Sequence, residues 1–327
     1  MILYICISIL LLCICIKLYI NNNKFFKFYK TDIFYLSNIL NFFNYQSNNS
    51  QIETIKCYKQ FPLFKQAKYM KIKLTPGDII FIPKYWWHWV YSENSKNKTE
   101  KNISMSINVN DEKYWDNILK LDESHIDSYY TQISHINQTD INNSIFKEFI
   151  SQNKPFFIHK YNEIKKSNYY KNWKLNKYLI KNLNTHKFLV GYNKSSTVIP
   201  VIKSNKTQNQ HYMTDMNIKE YIKRINNQSD KTGYYYLGQN NIIPHLLRKD
   251  LQLPSWIEQQ KISNIYFWMN NGNINSGLHY DGSDNLLLQI SGTKTIYLFS
   301  PEQTEFLYRG IFENISFINT TETTNST

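Results

Sequence analysis

Apolar and polar positions change texture along this chain. From Ile2 to Ile20 the run ILYICISILLLCICIKLYI is interrupted by charge only at Lys17, and a helix of that length can cross a ~30 Å hydrocarbon core. After about residue 51, short apolar runs bounded by turn residues take over. They predict strands at 70–74, 78–82 and 86–90, with Thr75-Pro76-Gly77 and Pro83-Lys84-Tyr85 as the turns. Ile103 to Val109 alternates apolar residues with Ser and Asn, the pattern of a half-buried strand. Helical spacing follows at 113–121, then a polar linker at 122–143. Beyond it the pattern predicts helices at 145–151, 173–182 and 218–225, with strands at 155–159, 187–192, 198–202, 265–270, 285–290 and 293–299. Ser291-Gly292 reads as the tight turn of a hairpin joining the last two strands. Many short strands with a few helices predict a mainly β fold, a jelly roll with a helical wrapping.

Composition changes this picture little. With 42% hydrophobic and 16% aromatic residues the chain can bury a core, which excludes a disordered polymer. The net charge of +13 admits an acidic partner, but the lysines are scattered and arginine stands only at Arg224, Arg248 and Arg309. A solvated Lys-rich surface is therefore favoured over a nucleic-acid partner. The N-terminal run lacks a basic leader and a small-residue cleavage site, so residues 1–23 are expected to be an uncleaved, single-pass transmembrane anchor. Lys17, Lys24, Lys27 and Lys30 near and beyond its end place the bulk of the chain in the cytosol. Cys6, Cys13 and Cys15 lie in that run and Cys57 stands alone outside it, so no disulfide framework is expected.

Candidate chemistry concentrates near the C-terminal end. His279 and Asp281 are two apart, so on a strand both side chains leave one face and can grip one ion. With a second histidine they would form a facial triad of two imidazoles and one carboxylate, which suits non-haem iron. There is no Gly-x-Ser-x-Gly elbow, no glycine-rich phosphate loop and no cysteine pair at zinc spacing. Trp86, Trp87 and Trp89 are expected in core and rim packing. His125, His135, His211 and His245 are expected at the surface or at turns.

The stretch from Phe267 to Pro301, containing Ser276-Gly-Leu-His279-Tyr-Asp281, Asn285 and Gly292-Thr-Lys294, resembles the JmjC/cupin-like Fe(II)/2-oxoglutarate-dependent oxygenases. Residues 74–90, LTPGDIIFIPKYWWHWV, resemble the distal half of the same domain, and weaker likeness surrounds Pro155-Phe-Phe-Ile and Tyr236-Leu-Gly-Gln. The resemblance implies a double-stranded β-helix with His279, Asp281 and His88 as iron ligands. It further implies that Lys294 pairs with the distal carboxylate of 2-oxoglutarate, that Ser276 and Tyr236 donate to that group, and that Asn285 and Asn108 line the co-substrate pocket. No catalytic residue is implied beyond these ligands, and a protein side chain is the implied substrate. The family order is reversed here, with the distal half in residues 24–121 and the N-terminal half in residues 144–319, followed by a polar tail at 320–327. A circular permutant closing one barrel, a slice of a tandem array, and a non-catalytic cupin-like module would each produce this order. Oligomeric state is left open.

Overall fold

The computed structural model describes residues 61–93, 101–109, 132–194, 197–198, 211–229, 231–241 and 246–308. All of them fall within the unit Ser47–Gly310. The apolar run Ile2–Ile20, the helix expected at 113–121 and the polar tail lie outside the described residues. Among the described residues no helix is long and apolar enough to cross a membrane.

The strands are β1 (Met70–Leu74), β2 (Ile79–Ile82), β3 (Trp87–Ser92), β4 (Asn102–Val109), β5 (Ser134–His135), β6 (Phe156–Ile158) and β7 (Lys187–Asn193). They continue as β8 (Thr197–Val198), β9 (His211–Asn217), β10 (Tyr234–Asn241), β11 (Ile262–Asn270), β12 (Ile274–Ser276), β13 (Asp284–Ser291) and β14 (Lys294–Phe299). They form two sheets, a five-stranded one in the order β1-β14-β3-β12-β8 and a nine-stranded one in the order β5-β6-β2-β13-β4-β11-β10-β7-β9. This is a mainly β, cupin-like jelly roll with few helices. In the smaller sheet β14 lies between β1 and β3, and in the larger β13 lies between β2 and β4. Strands from before residue 110 and after residue 260 therefore interleave in both.

Burial follows from the pattern of each element. On β1, Met70, Ile72 and Leu74 are buried while Lys71 and Lys73 face outward. Leu286, Leu288 and Ile290 of β13 join a core that includes Phe81, Met105, Phe156 and Phe267 and runs under the helices. Helix α1 (Asn143–Ser151) begins where the Asn142 side chain accepts from the Ile145 N–H, which satisfies one of the unpaired donors of a first turn. Three more helices follow, α2 (Asn162–Lys166), α3 (Asn168–Asn172) and α4 (Asn176–Leu183). In α5 (Ile218–Asn226), Ile218, Tyr221, Ile222 and Ile225 are buried, the i, i+3, i+4, i+7 stripe of a helix laid on a core.

Several sequence expectations need correction. The helix expected at 173–182 forms but starts later: Trp173 caps α3, and α4 begins at Asn176. The linker expected at 122–143 contains a short strand, because Ser134 and His135 pair in parallel with Phe156 and Phe157. β4 is not half-buried, since the face carrying Ser104 and Ser106 is also covered. The largest correction concerns Ser291-Gly292, which does not close a hairpin. β13 and β14 lie in different sheets, so this segment is a corner that carries the chain from one sheet to the other. Gln289 Nε2 holds the corner by donating to Asn102 Oδ1, Ser291 O and Gly292 O.

Candidate metal centre and co-substrate pocket

His88 reaches its place because β3 is sandwiched between β14 and β12. His279 and Asp281 are not on a named strand, contrary to expectation; they lie in the connection between β12 and β13. That connection is pinned to the chain around His88 by backbone bonds from His88 N to His279 O (2.7 Å), His279 N to His88 O (3.1 Å) and Tyr85 N to Asp281 O (2.9 Å). Tyr280, between the two in sequence, packs edge-on against Tyr85 and Trp87. His88, His279 and Asp281 thereby offer one ligand atom each within 4.8 Å of one another, although 191 positions separate the two histidines in the sequence (279 − 88).

The backbone also selects the tautomers. His88 Nδ1 lies 3.0 Å from Trp86 O and His279 Nδ1 lies 2.7 Å from Gly277 O. A carbonyl oxygen can only accept, so each Nδ1 carries a proton and each Nε2 is the ring nitrogen left to face an ion. His88 Nε2 is 3.6 Å from Asp281 Oδ2. Burial, reinforced by the neighbouring His279, pulls the His88 pKa down to about 4 against the opposing pull of Asp281 and the Trp86 carbonyl. The imidazole is therefore neutral at pH 7. Two imidazoles presenting Nε2 and one carboxyl group fit a divalent transition metal.

A second group of polar residues extends from this cluster along the inner face of β4. Asn108 Nδ2 donates to Ser283 Oγ (2.9 Å), and its register partner Asn285 places Nδ2 3.4 Å from Asp281 Oδ2. The side-chain carbonyls of both asparagines are buried without a hydrogen-bond partner. Two residues along β4, Ser106 Oγ accepts from Trp268 Nε1 at 2.7 Å. Two further, Ser104 Oγ accepts from Lys294 Nζ at 2.6 Å. Lys294 is 4% exposed, and among the described residues no carboxylate pairs with it. Burial drives its pKa down to about 7. A buried ammonium without a counter-ion, at the far end of a strip from orphaned amide oxygens, fits a ligand that brings a carboxylate to Lys294.

The other expected residues surround this strip. Ser276 Oγ accepts from Val90 N (3.0 Å), which leaves its own hydrogen free to donate. Tyr236 packs against Trp268 at 5.9 Å between ring centroids, and burial together with the Asp281 charge pushes its pKa up. No direct bond links Ser276 or Tyr236 to Lys294 among the described residues. Trp86, Trp87 and Trp89 are buried, as expected of packing residues. Ser104, Ser106 and Trp268 were missed from sequence. Their signal was the polar face of β4, which alternation alone assigns to solvent.

The sequence profile of the cupin-like domain matches residues 28–118 and 142–326. A JmjC domain-containing protein of Acanthamoeba polyphaga mimivirus is 26% identical over 253 residues, covering 76% of this chain and 36% of its own length. JmjC domain-containing protein E of Dictyostelium discoideum is 29% identical over 193 residues, covering 53% of this chain and 54% of its own. Lysine-specific demethylase JMJ31 of Arabidopsis thaliana is 36% identical over 87 residues, covering 24% of this chain and 16% of its own. The chain thus spans well under two thirds of the length of each of these relatives. No solved structure matches. The profile match across most of the chain, and relatives that carry the JmjC domain, agree with the interleaved sheets and the His-His-Asp cluster: the chain belongs to the cupin-like (JmjC) domain family.

Proposed function

We propose that this protein is an Fe(II)- and 2-oxoglutarate-dependent oxygenase that hydroxylates a protein side chain, with the two halves of its domain permuted relative to the family. One observation carries the reading: the His88, His279 and Asp281 ligand atoms cluster at one end of an inner strip whose other end is a buried Lys294 without a carboxylate partner among the described residues. The Nε2 atoms of both histidines and one Asp281 oxygen would hold the metal. Lys294 would take the distal carboxylate of the co-substrate, with Ser276 and Tyr236 as hydroxyl donors and Asn108 and Asn285 beside its other end. Iron in such a set supplies open coordination positions and the redox capacity for oxygenation coupled to decarboxylation of a 2-oxo acid. The chain's own part is to keep His88 neutral, to neutralise a buried dicarboxylate, and to shelter the site between two sheets. The apolar run Ile2–Ile20 supports a membrane-anchored form, to be tested by fractionation of the full-length chain with and without residues 1–23.

A protein substrate is supported by relatives named as lysine-specific demethylases. The likeness to the human tRNA wybutosine-synthesizing protein 5, 33% identical over 63 residues, covers 19% of this chain and keeps tRNA as the alternative that a substrate screen must include. The central test is a pair of variants titrated separately with Fe(II) under anaerobic conditions and with 2-oxoglutarate. His279→Ala should lose iron. Lys294→Ala should keep iron but bind 2-oxoglutarate tens-fold to thousands-fold more weakly, as expected from roughly 2–5 kcal/mol for one partner of a buried charge pair. A parent protein that binds iron but no 2-oxoglutarate would reduce the reading to a metal-binding cupin-like module.

A further inference from the structure

Alternate residues of a strand share a face and stand about 6.6–6.8 Å apart. On β4 this places Ser106 midway between Ser104, where the Lys294 ammonium sits, and Asn108, which lies beside Asn285 and the Asp281 end of the metal cluster. A ligand bridging those ends must pass Ser106. The residue already there is Trp268, whose Nε1 donates to Ser106 Oγ at 2.7 Å and whose ring is flanked by Tyr236 and Tyr266 at 5.9 and 6.2 Å between centroids.

The indole fits only because of Gly238. A Cβ at that position would lie 2.6 Å from Trp268 Cζ3, 2.7 Å from its Cε3 and 2.6 Å from Tyr236 Cε1. Any side chain there would drive one of the two rings out of its seat. A hydrogen bond on one side, a missing side chain on another and aromatic neighbours therefore hold the indole as a fixed wall rather than a movable one.

We propose that Trp268, seated on Gly238 and tied to Ser106, is a specificity-determining residue that sets the width of the passage between Lys294 and the His88-His279-Asp281 cluster. The passage admits an unbranched five-carbon 2-oxo diacid and excludes analogues with an alkyl substituent on the carbon chain. The inference rests on the 2-oxoglutarate reading above, and Gly238 acts in it as a positioning residue through Trp268.

The test is equilibrium binding to the full chain loaded with Mn(II), so that nothing turns over, with 2-oxoglutarate compared against 3-methyl-2-oxoglutarate. The parent should prefer the unbranched acid by about tenfold or more, the usual scale for one excluded methyl in a fitted pocket. Trp268→Leu should abolish that preference by tightening the branched acid. Gly238→Ala should weaken both acids about tenfold while Mn(II) affinity, the check on folding, stays unchanged. Combining Gly238→Ala with Trp268→Leu should bind 2-oxoglutarate more tightly than Gly238→Ala alone, because the indole no longer competes for that space and only the contact with Tyr236 remains. Should Trp268→Leu fail to fold, Trp268→Phe, which keeps a smaller ring and loses the bond to Ser106, should show a reduced preference. Unchanged discrimination in whichever of these folds, or a double variant no better than Gly238→Ala, overturns the proposal. A parent that takes Mn(II) but neither acid overturns the 2-oxoglutarate reading, and this inference with it.

Discussion

Lys294 is the residue at which burial and chemistry conflict most. Its ammonium donates to the Ser104 hydroxyl, and burial away from water drives its pKa down to about 7 from an ordinary value of 10.5. Because the folded pKa is depressed, the unfolded chain binds the proton more readily between those two values. The ligand-free protein should therefore gain stability as pH rises from about 7 towards 10.5, and Lys294→Met should flatten that dependence. A carboxylate delivered to Lys294 restores the charge. At pH 8 binding of 2-oxoglutarate should then take up close to one proton, fading below pH 6 where the lysine is already charged. Calorimetry in buffers of different ionisation enthalpy measures this, and uptake that does not change with pH would separate Lys294 from the ligand. The lysine was legible in the sequence through its motif. Its partner Ser104 was not, since nothing local tells whether a polar strand face meets water or the interior of a barrel.

At the scale of elements, the corner between β13 and β14 shows why local pattern misleads. Two apolar runs around Ser-Gly have the composition of a hairpin, and most such runs pair with each other. Here the register of β13 against β4 shifts between Gln289 and Ser291, and Gly292 adopts φ +69° with Asn102 close against it. The strand leaves one sheet for the other instead of turning back. A Cβ on Gly292 would lie 2.9 Å from the Asn102 Cα, a backbone atom that cannot simply rotate away. Gly292→Ala should thus cost about 1–3 kcal/mol in denaturant unfolding. It should also weaken 2-oxoglutarate binding, because Lys294 stands two residues past the corner. A variant of parental stability would mean that the corner tolerates a side chain. The strands themselves were largely foreseen, β1, β2, β4, β11 and β13 to within a few residues, because apolar runs between turns carry that signal. β9, β10 and β12, rich in Tyr, Asn and polar residues, carry little of it and were missed.

For the molecule as a whole, the distribution of strand ladders decides how the two halves depend on each other. None of β1, β2, β3 and β4 pairs with another of the four. β1 pairs with β14, β2 with β13 and β6, β3 with β14 and β12, and β4 with β11 and β13. Among the described residues every partner comes from beyond residue 150. The first half alone would thus lose every ladder described for β1 to β4, and the second half would lose those of β13 and β14 while keeping β7 with β9 and β10 with β7 and β11. The candidate metal cluster is divided in the same way, His88 on one side and His279 with Asp281 on the other. The sequence made this division visible, because its histidine order splits the triad between two matched segments. It could not say whether one barrel or two resulted, since that depends on pairings between residues as far apart as Met70 and Leu298. The expectation is complementation. A fragment 47–131 alone should lack sheet structure by circular dichroism, and a fragment 132–310 alone should show partial structure and no tight metal site. An equimolar mixture should regain strand content and bind one Fe(II), because unpaired backbone donors and acceptors in each piece find their only partners in the other. Independent folding of the first fragment, or a mixture that gains neither structure nor metal, would show that these strands belong to separate barrels and that the halves do not close one site.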